Sequence, residues 1–436
     1  DTEAQRYLIE IHSGVDQSEM IEAEHGTVQA GRLVHPMNSE RSGVDIKTIR
    51  GDYQAENGTK QNRLRLWDKN EFIPRSDDIF QERLYCILWA KKKTLPDERQ
   101  EFFFRDVGTD DIMRERKVES IVKNNLAAWQ DSGLVPDMAI EPGDKTDEPI
   151  RTRGWSHWHH LFSARHLLMN ALFRKNIGKE PQKNQNFLQS TFAKMLDSHS
   201  KLTRWRSLNA TANITGGLSD KIENVFYNQA INTMLNYGQR AFSYSNFGIS
   251  GPIHKIHSNV SIISSAADLV KEECCLFVTD PPYADAVNYH EITEFFIAWL
   301  RKNRPPPFDK WISDSQRSKA IRGSGEQFRR DMVAAYAAMT HVMPDNGQQV
   351  VMFTHQDAGV WADLGSILWA AGLRVTAAWN IVTETESALK EGNYVQGTVC
   401  LVLRKRLGAA NARRMEIEAE IEDAVAAQLA HLNALD

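Results

Sequence analysis

Hydrophobic and polar positions show two different periodicities along the chain. Between residues 255 and 405, short apolar runs alternate with segments whose apolar residues recur every three or four positions. The longer segments predict helices at 288–302, 325–343 and 357–371. Strands that alternate with helices indicate an α/β fold with a mostly parallel sheet, and two adjacent strands at the end indicate an antiparallel edge. The strands are predicted at 260–264, 274–279, 349–354, 374–381 and 398–404.

The residues before 255 show patterns of both short strands and helices. Segments rich in Pro and Gly divide the whole chain into stretches. Short strands are predicted at 25–36, 44–53 and 83–90, with a helix at 110–130. Further helices are predicted at 157–175, 186–205 and 223–242. The predicted stretches are an α+β module of unknown role at 1–132, a linker at 133–154, a helical region at 155–245, the α/β part at 255–405 and a C-terminal helix at 408–436.

The C-terminal helix carries a single apolar stripe. Such a stripe indicates packing against the same protein or against a partner helix. Its members are Ile417, Ile421, Val425, Leu429, Leu432 and Leu435.

Composition excludes several classes of protein. The 436 residues are 42% hydrophobic and 25% charged, which is ordinary globular usage and predicts two to four domains. No apolar run approaches the ~18 residues of a membrane span. The four cysteines, at 86, 274, 275 and 400, lack CxxC spacing, which argues against a zinc ribbon or a disulfide scaffold and favours a reducing cytoplasm. With a net charge of −5, any contact with nucleic acid must come from local basic patches.

One tetrapeptide stands out for its position. Asp280, Pro281, Pro282 and Tyr283 directly follow the apolar run CCLFVT, which is predicted to be a strand buried on both faces. In an open parallel sheet, ligands bind beyond the carboxyl ends of the strands. The tetrapeptide is therefore predicted at a ligand-binding edge, and the alternative is a turn that only caps the strand.

These residue types suit the methylation of an exocyclic amine on a nucleobase. The Asp280 carboxylate and the Pro281 carbonyl can accept the two amino hydrogens, which orients the nitrogen lone pair towards a methyl sulfonium. The two prolines have fixed φ angles and no N–H, so the loop is stiff. The ring of Tyr283 can stack on a base that has left the helix, worth ~1–3 kcal/mol. An in-line displacement of this kind requires positioning and electrostatics, without a metal.

The segment FVTDPPYADAVNYHEITEFFIAWLRK resembles the motif IV region of amino-group DNA methyltransferases. More narrowly, it resembles the large adenine-specific DNA methylases with a domain of unknown function from anti-phage defence loci. Residues 135–168, 201–206, 226–242 and 377–387 are similar to that family in the same order. The resemblance implies a Rossmann-like methyltransferase core, S-adenosylmethionine as methyl donor, and adenine N6 in double-stranded DNA as target, in a restriction or defence system.

The resemblance also suggests roles for individual residues. Asp268 follows the predicted strand 260–264 at the place of the family's contact to the donor's adenine ring, and Asp280 belongs to the same cofactor edge. Tyr289 and His290 are expected to form the wall of the base pocket. A surface Asp at a strand end is the alternative for Asp268.

Other candidates come from the residues alone. The loop 301–325 is rich in basic residues, and Arg317 and Lys319 are candidates for phosphate contacts; a solvated loop is the alternative. Basic and aromatic residues at 201–206 also suit a nucleic-acid backbone, or the end of an amphipathic helix. His157, His159 and His160 have no Cys or carboxylate at ligand spacing, so no metal site is predicted.

The chain departs from the family at the donor loop. A Gly-rich turn of the type D-P-F-x-G-x-G after a strand is expected. Gly216 and Gly217 follow no predicted strand, and Gly323 and Gly325 lie in a polar loop. Since the sequence also begins without Met, we expect the later part of a longer protein, or one half of a split enzyme. Two alternatives to an adenine methyltransferase stay open: an N4-cytosine methyltransferase, and a non-catalytic DNA-recognition or scaffold subunit of a defence complex.

Overall fold

The computed structural model is a mixed α/β fold with several small sheets and one mixed four-stranded sheet. The chain divides into two compact units. The N-terminal unit comprises Asp1–Ser261 and Asn288–Ser318, and the sheet unit comprises Ile262–Val287 and Lys319–Asp436. The structure describes residues 9–24, 26–34, 43–91, 101–203, 205–206, 221–222, 225–226, 260–282, 288–306, 308–322, 325–381, 397–408 and 414–433.

The N-terminal unit combines helices with short antiparallel strands. Strands β1, β2 and β3 form one sheet, and β4–β5, β6–β7 and β8–β9 pair as ribbons. The strands are β1 (Val28–Gln29), β2 (Arg32–Leu33), β3 (Val44–Asp45), β4 (Tyr53–Gln54), β5 (Lys60–Gln61), β6 (Cys86–Ala90), β7 (Phe102–Asp106), β8 (Trp205–Arg206) and β9 (Lys221–Ile222). The helices are α1 (Gln17–Glu24), α2 (Ile46–Arg50), α3 (Thr109–Asp131), α4 (Asp147–Arg153), α5 (Ala164–Ile177), α6 (Gln182–Leu196), α7 (Tyr289–Ile292) and α8 (Glu294–Leu300).

An aromatic core holds the N-terminal unit together. Phe295 of α8 stacks on Phe162 with ring centroids 5.5 Å apart, and Trp299 packs edge-on against the same ring at 4.9 Å. Helix α6 contributes Phe192, which contacts Trp299. The helix that follows the DPPY motif is therefore part of this core, with a large buried apolar area.

The sheet unit contains the four-stranded sheet. Strand β10 runs parallel to β11, whereas β13 lies between β11 and β12 and is antiparallel to both. The antiparallel edge predicted from two adjacent strands is confirmed. The prediction of a mostly parallel sheet is wrong, because two of the three described pairings in this sheet are antiparallel. The elements are β10 (Leu276–Thr279), α9 (Glu326–Val342), β11 (Gln348–Phe353), α10 (Ala358–Ala370), β12 (Leu373–Ile381), β13 (Thr398–Lys405) and α11 (Arg414–Asn433).

One face of this sheet is covered and the other is open. Helices α9 and α10 pack on the covered face, where Val351, Phe353 and Leu403 are almost fully buried. On the opposite face Leu276 is 55% and Val278 is 58% exposed. The prediction that 274–279 is buried on both faces is therefore wrong, because the two connecting helices lie on the same side.

Several predicted elements agree with the structure and others do not. The helices predicted at 110–130, 325–343 and 357–371 are confirmed to within one residue at each end. The predicted strand 260–264 is wrong: these residues are exposed and pair with no strand of the described chain. The predicted helix 223–242 lies almost wholly outside the described residues, and the predicted domain limits stay predictions.

Local signals explain two further corrections. Within the predicted strand 44–53 lies helix α2, whose first turn is capped by the Asp45 carboxylate and which ends at Gly51 with a φ of 66°. The predicted linker 133–154 contains helix α4, and its Val135 and Thr146 are buried. Pro149 is compatible with α4 because it lies in the first turn, where no N–H is needed.

The predicted helix 157–175 begins later than expected. Trp158–Leu161 form a 3-10 turn, and α5 starts after Ser163, whose hydroxyl accepts the N–H of His166. Likewise α6 covers Gln182–Leu196 where 186–205 was predicted. Among the helices of the described residues, none has the combination of length and apolar composition that crossing a bilayer requires.

Candidate functional site at the end of strand β10

Asp280 lies at the carboxyl end of β10 and is accessible. Its side chain is exposed, Pro281 is buried and Pro282 is half-buried. Tyr283 lies outside the described residues. The buried Pro281 fixes the backbone directly after Asp280, because its ring restricts φ. The Asp280 carboxylate is therefore presented to solvent from a constrained position.

The parallel pairing of β10 and β11 brings other polar groups to the same edge. Thr279 pairs with Val351, so the residues after Phe353 follow at the carboxyl end of the neighbouring strand. Among them, the hydroxyl of Thr354 is buried and makes no hydrogen bond within the described residues. The sequence prediction did not include Thr354, although a Thr directly after a strand at a parallel edge is a recognisable signal.

Tyr336 of α9 anchors the end of β10. Its hydroxyl shares a hydrogen bond of 3.2 Å with the Oγ1 of Thr279, the residue before Asp280. The ring is 2% exposed. Burial, together with the negative charge of Asp280, raises the pKa of Tyr336 to about 12, against an opposing effect of the bond to Thr279. The phenol therefore stays protonated at neutral pH and serves as a fixed dipole beneath the loop.

Sequence reasoning missed Tyr336, although a signal was present. The residue lies on the apolar stripe of α9, with Met332 four positions before and Met339 three positions after it. A tyrosine that faces the core requires a partner for its hydroxyl. The nearest strand end with a hydroxyl partner is Thr279.

Asp268 belongs to the same unit as Asp280. It lies in a 3-10 turn at Ala267–Leu269, which packs against α9. Its side chain is exposed. The carboxylate is therefore accessible to a ligand, and its predicted role at the donor ring stays a prediction.

Tyr289 and His290 lie in α7 of the N-terminal unit. Tyr289 is 61% exposed. The Nε2 of His290 lies 3.6 Å from a carboxylate oxygen of Glu291. The predicted role of these two residues as the wall of a base pocket stays a prediction.

Arg317 is held inside the N-terminal unit. Its Nε and Nη2 donate to the two carboxylate oxygens of Glu294 at 2.6 and 2.7 Å. Nη1 donates to the carbonyl of Pro142 at 3.1 Å, and Nη2 to that of Glu141 at 3.0 Å. The bond to Glu294 raises the pKa of Arg317 despite burial. These contacts use the guanidinium donors, so they argue against the predicted phosphate contact of Arg317.

Glu291 completes this polar cluster. Its carboxylate accepts the backbone N–H groups of Asp144, Lys145 and Thr146 at 3.1, 2.8 and 3.2 Å. Burial would raise the pKa of Glu291, but these bonds and the charge of Arg317 outweigh burial and lower it. The cluster fixes the segment before α4 onto α7 and α8. Lys319, in contrast, has an exposed side chain, and its predicted phosphate contact stays a prediction.

The histidines of the segment 157–160 are packing residues. His159 and His160 are buried, and their Nε2 atoms lie 2.9 and 3.1 Å from the backbone carbonyls of Glu71 and Asp68. Burial lowers the pKa of His159 to about 3 and that of His160 further. Both imidazoles are therefore neutral. Across the described ranges, no group of three or more His, Cys, Asp or Glu side chains is arranged to hold a metal ion.

Lys201 is also a core residue. Its Nζ pairs with Glu82 at 2.7 Å and lies 5.0 Å from the ring centroid of Trp155. Burial lowers the pKa of Lys201, opposed by Glu82. Since the side chain is fully buried, the predicted contact of Lys201 with a nucleic-acid backbone is wrong.

The described residues do not form the methyl-donor site that the resemblance implies. Such a site requires a glycine turn directly after a strand, against which the ligand can lie closely. Gly325 has a φ of 94° and open space at its Cα, but it precedes α9 and follows a loop. Gly216, Gly217 and Gly323 lie outside the described residues. Asp268 and Asp280 thus stay candidate contacts to the methyl donor, and the described residues provide no glycine turn beside them.

Comparison with known proteins identifies no relative: no family model, no curated protein and no solved structure matches the chain.

Proposed function

We propose that this chain is the base-binding part of an S-adenosylmethionine-dependent DNA methyltransferase that modifies the N6 amine of adenine in double-stranded DNA. The observation that carries this proposal is the exposed Asp280 carboxylate at the carboxyl end of a parallel strand, followed by the buried Pro281. A restriction or anti-phage defence system is the proposed setting, on the basis of the resemblance.

The proposed chemistry of this chain is the orientation of an amine. The Asp280 carboxylate accepts one amino hydrogen of an extruded adenine and the Pro281 carbonyl accepts the other. Both acceptors increase electron density at the nitrogen and fix the direction of its lone pair. The bond between Tyr336 and Thr279 keeps these acceptors in place, and Tyr283 stacks on the base.

The topology supports the Rossmann-like part of the proposal. A parallel pair, β10 and β11, is followed by an antiparallel strand that lies inside the sheet. This arrangement is compatible with the later strands of a methyltransferase core. When bound, S-adenosylmethionine supplies an electrophilic methyl group, but the described residues lack its loop, so we propose that a further polypeptide segment completes the donor site.

The first experiment measures base binding without the donor. A DNA duplex with 2-aminopurine opposite an abasic site reports extrusion by an increase of fluorescence. We expect the wild-type chain to give this increase and Asp280→Asn to lose most of it. Asp363→Asn, which changes an exposed carboxylate on α10, is the matched control and should behave as wild type. Equal signals from wild type and Asp280→Asn would contradict the proposal.

Product analysis separates the enzyme alternatives. DNA methylated by the complete system, digested to nucleosides and measured by mass spectrometry, should contain N6-methyladenine. N4-methylcytosine in its place would identify the cytosine alternative.

The absence of a donor loop from the described residues favours one non-enzymatic alternative, a DNA-recognition or scaffold subunit. DNA binding that is equal for Asp280→Asn and wild type, with no methylated nucleoside from the complete system, would support that alternative.

A further inference from the structure

The open face of the sheet carries a continuous apolar surface. The strand pairing aligns one row across all four strands, formed by Val278, Val350, Val402 and Ala377. Beside this row, Trp379 is 63% and Ile381 is 46% exposed. Strands β10 and β11 pair in parallel, and parallel strands normally have helices on both faces, so the apolar row favours a cover.

Helix α11 carries an unused apolar stripe in the same unit. Ile417, Ile421 and Val425 follow each other at four-residue spacing and are 44%, 56% and 52% exposed. All described side chains of the helix, at 417–427 and 430, are exposed. The apolar stripe of this helix is therefore uncovered in the structure, and its packing against the same protein or a partner stays a prediction.

The two surfaces match in size. Four strands at ~4.8 Å spacing place the outer strands ~14 Å apart. The nine residues from Ile417 to Val425, eight helical steps, extend the stripe over ~12 Å of helix. One helix laid across the strands would therefore cover the apolar row from β12 to β10.

The two surfaces also match in charge. Arg374 and Arg404 lie directly opposite each other on β12 and β13, on the open face. Two cations in this position repel each other, and a nearby anion relieves the repulsion. On α11 the apolar stripe is flanked by Glu420 on one side and by Glu418 and Glu422 on the other. The acidic first half of the helix is thus complementary to the arginine pair.

The connection is long enough for the helix to reach this face of its own sheet. About eight residues separate the end of β13 at Lys405 from the start of α11 at Arg414. A segment of that length spans up to ~26 Å when extended. A tether of this kind gives an effective concentration on the order of millimolar, which favours a contact within one chain over a contact between two.

We propose that α11 docks on the open face of its own sheet, with Ile417, Ile421 and Val425 on the apolar row and its acidic flanks beside Arg374 and Arg404. The inference concerns the sheet unit alone and does not rest on the proposed function. It assigns α11 as a cover that any other helical partner of this face must displace.

Cross-linking of the full chain tests the contact. In a background with serine at positions 86, 274 and 275, the pair Val278→Cys and Ile421→Cys is treated with a short bismaleimide. We expect an intrachain cross-link, identified by peptide mass spectrometry, at several times the yield of the control pair Val278→Cys and Ala426→Cys. Ala426 lies on the opposite side of the helix from Ile421. Equal yields for both pairs would overturn the proposal.

A second measurement covers the other possible occupants. Ile421→Asp should increase the fluorescence of the apolar dye ANS several-fold relative to Ala426→Asp, because it releases the open face. Sedimentation equilibrium of the wild type should give a monomer. A dimer that Ile421→Asp dissociates would assign the cover to a second copy and overturn the intrachain contact, as would dye binding that neither substitution changes.

Discussion

The hydroxyl of Tyr336 and the hydroxyl of Thr279 lie 3.2 Å apart, and this bond joins helix α9 to the last residue of β10. The bond is partly buried, and the residue that follows Thr279 is the exposed Asp280. Helix α9, which is remote in sequence, therefore helps to fix the position of the candidate carboxylate of Asp280. The relationship gives Tyr336 a positioning role that can be measured.

Removal of the Tyr336 hydroxyl should weaken both the unit and the site. We expect Tyr336→Phe and Thr279→Val each to lower the free energy of unfolding by about 1 kcal/mol, and the double variant to cost less than the sum because the two groups share one bond. Urea unfolding of the four proteins measures this coupling. If the single effects add fully, the two hydroxyls do not interact in solution. Tyr336→Phe should also reduce 2-aminopurine extrusion by more than its loss of stability explains.

Substitutions at Arg317 and Lys319 should distinguish a structural role from a DNA contact. Arg317→Ala leaves the buried Glu294 without its partner, and we expect a loss of about 3–5 kcal/mol in the free energy of unfolding. Lys319→Ala, at an exposed side chain, should change that quantity by less than about 0.5 kcal/mol. If Lys319 contacts a phosphate, the same variant should reduce the slope of log binding constant against log salt by about 0.9. An unchanged slope would remove Lys319 from the DNA-binding surface.

The stability of the N-terminal unit should fall in acid partly through Asp137. Burial would raise the pKa of this carboxyl, but hydrogen bonds from Lys302 and Arg301 outweigh it and hold the pKa at about 2, below the ordinary value of 3.8. A depressed pKa stabilises the fold above pH ~4, and the contribution of about 2 kcal/mol is lost as the pH falls towards 2.

Unfolding by urea at pH 5 and at pH 2.5 isolates this contribution. Asp137→Asn should remove about 2 kcal/mol of the difference between the two pH values, whereas Asp131→Asn, at an exposed position at the end of α3, should leave that difference unchanged. Identical pH dependence in all three proteins would show that Asp137 is not the titrating group.

Binding of the methyl donor should be weak in this chain alone. Because the sequence contains no Gly-rich turn of the type D-P-F-x-G-x-G after a predicted strand, we expect isothermal calorimetry with S-adenosylmethionine to give no measurable heat at tens of micromolar protein. Tight binding by the isolated chain would contradict the proposal that a further segment completes the donor site. Asp268→Asn serves as the matched variant, since it should abolish any binding that is specific.

Sequence patterns predicted the sheet unit better than the N-terminal unit. The helices α9 and α10 and the strands β11 to β13 have strong apolar periodicity, and their bounds were predicted closely. Within 133–154, helix α4 and the burial of Val135 were not predicted, because Pro and Gly indicate turns but carry no information on burial.

For the candidate site, the position and accessibility of Asp280 agree with the motif. Tyr336 could not be found by inspection of the motif alone, because its bond to Thr279 spans 57 residues. Because its neighbours are basic, Arg317 was expected to contact DNA. Its guanidinium instead binds Glu294, 23 residues earlier. Charge patterns along a loop show which residues are basic, but only tertiary contacts decide which of them are already paired.

The place of β13 between β11 and β12 constrains the order in which the chain can fold. Strand β12 is synthesised first, but its neighbour in the sheet is β13 and it has no pairing with β11. Strand β12 can therefore join the sheet only after it has paired with β13, or while β13 pairs with β11. A nascent chain that ends before residue 398 exposes the unpaired β12, with Trp379 and Ile381, to association with other chains. Emergence of residues 398–405 from the ribosome is therefore the step that completes the sheet.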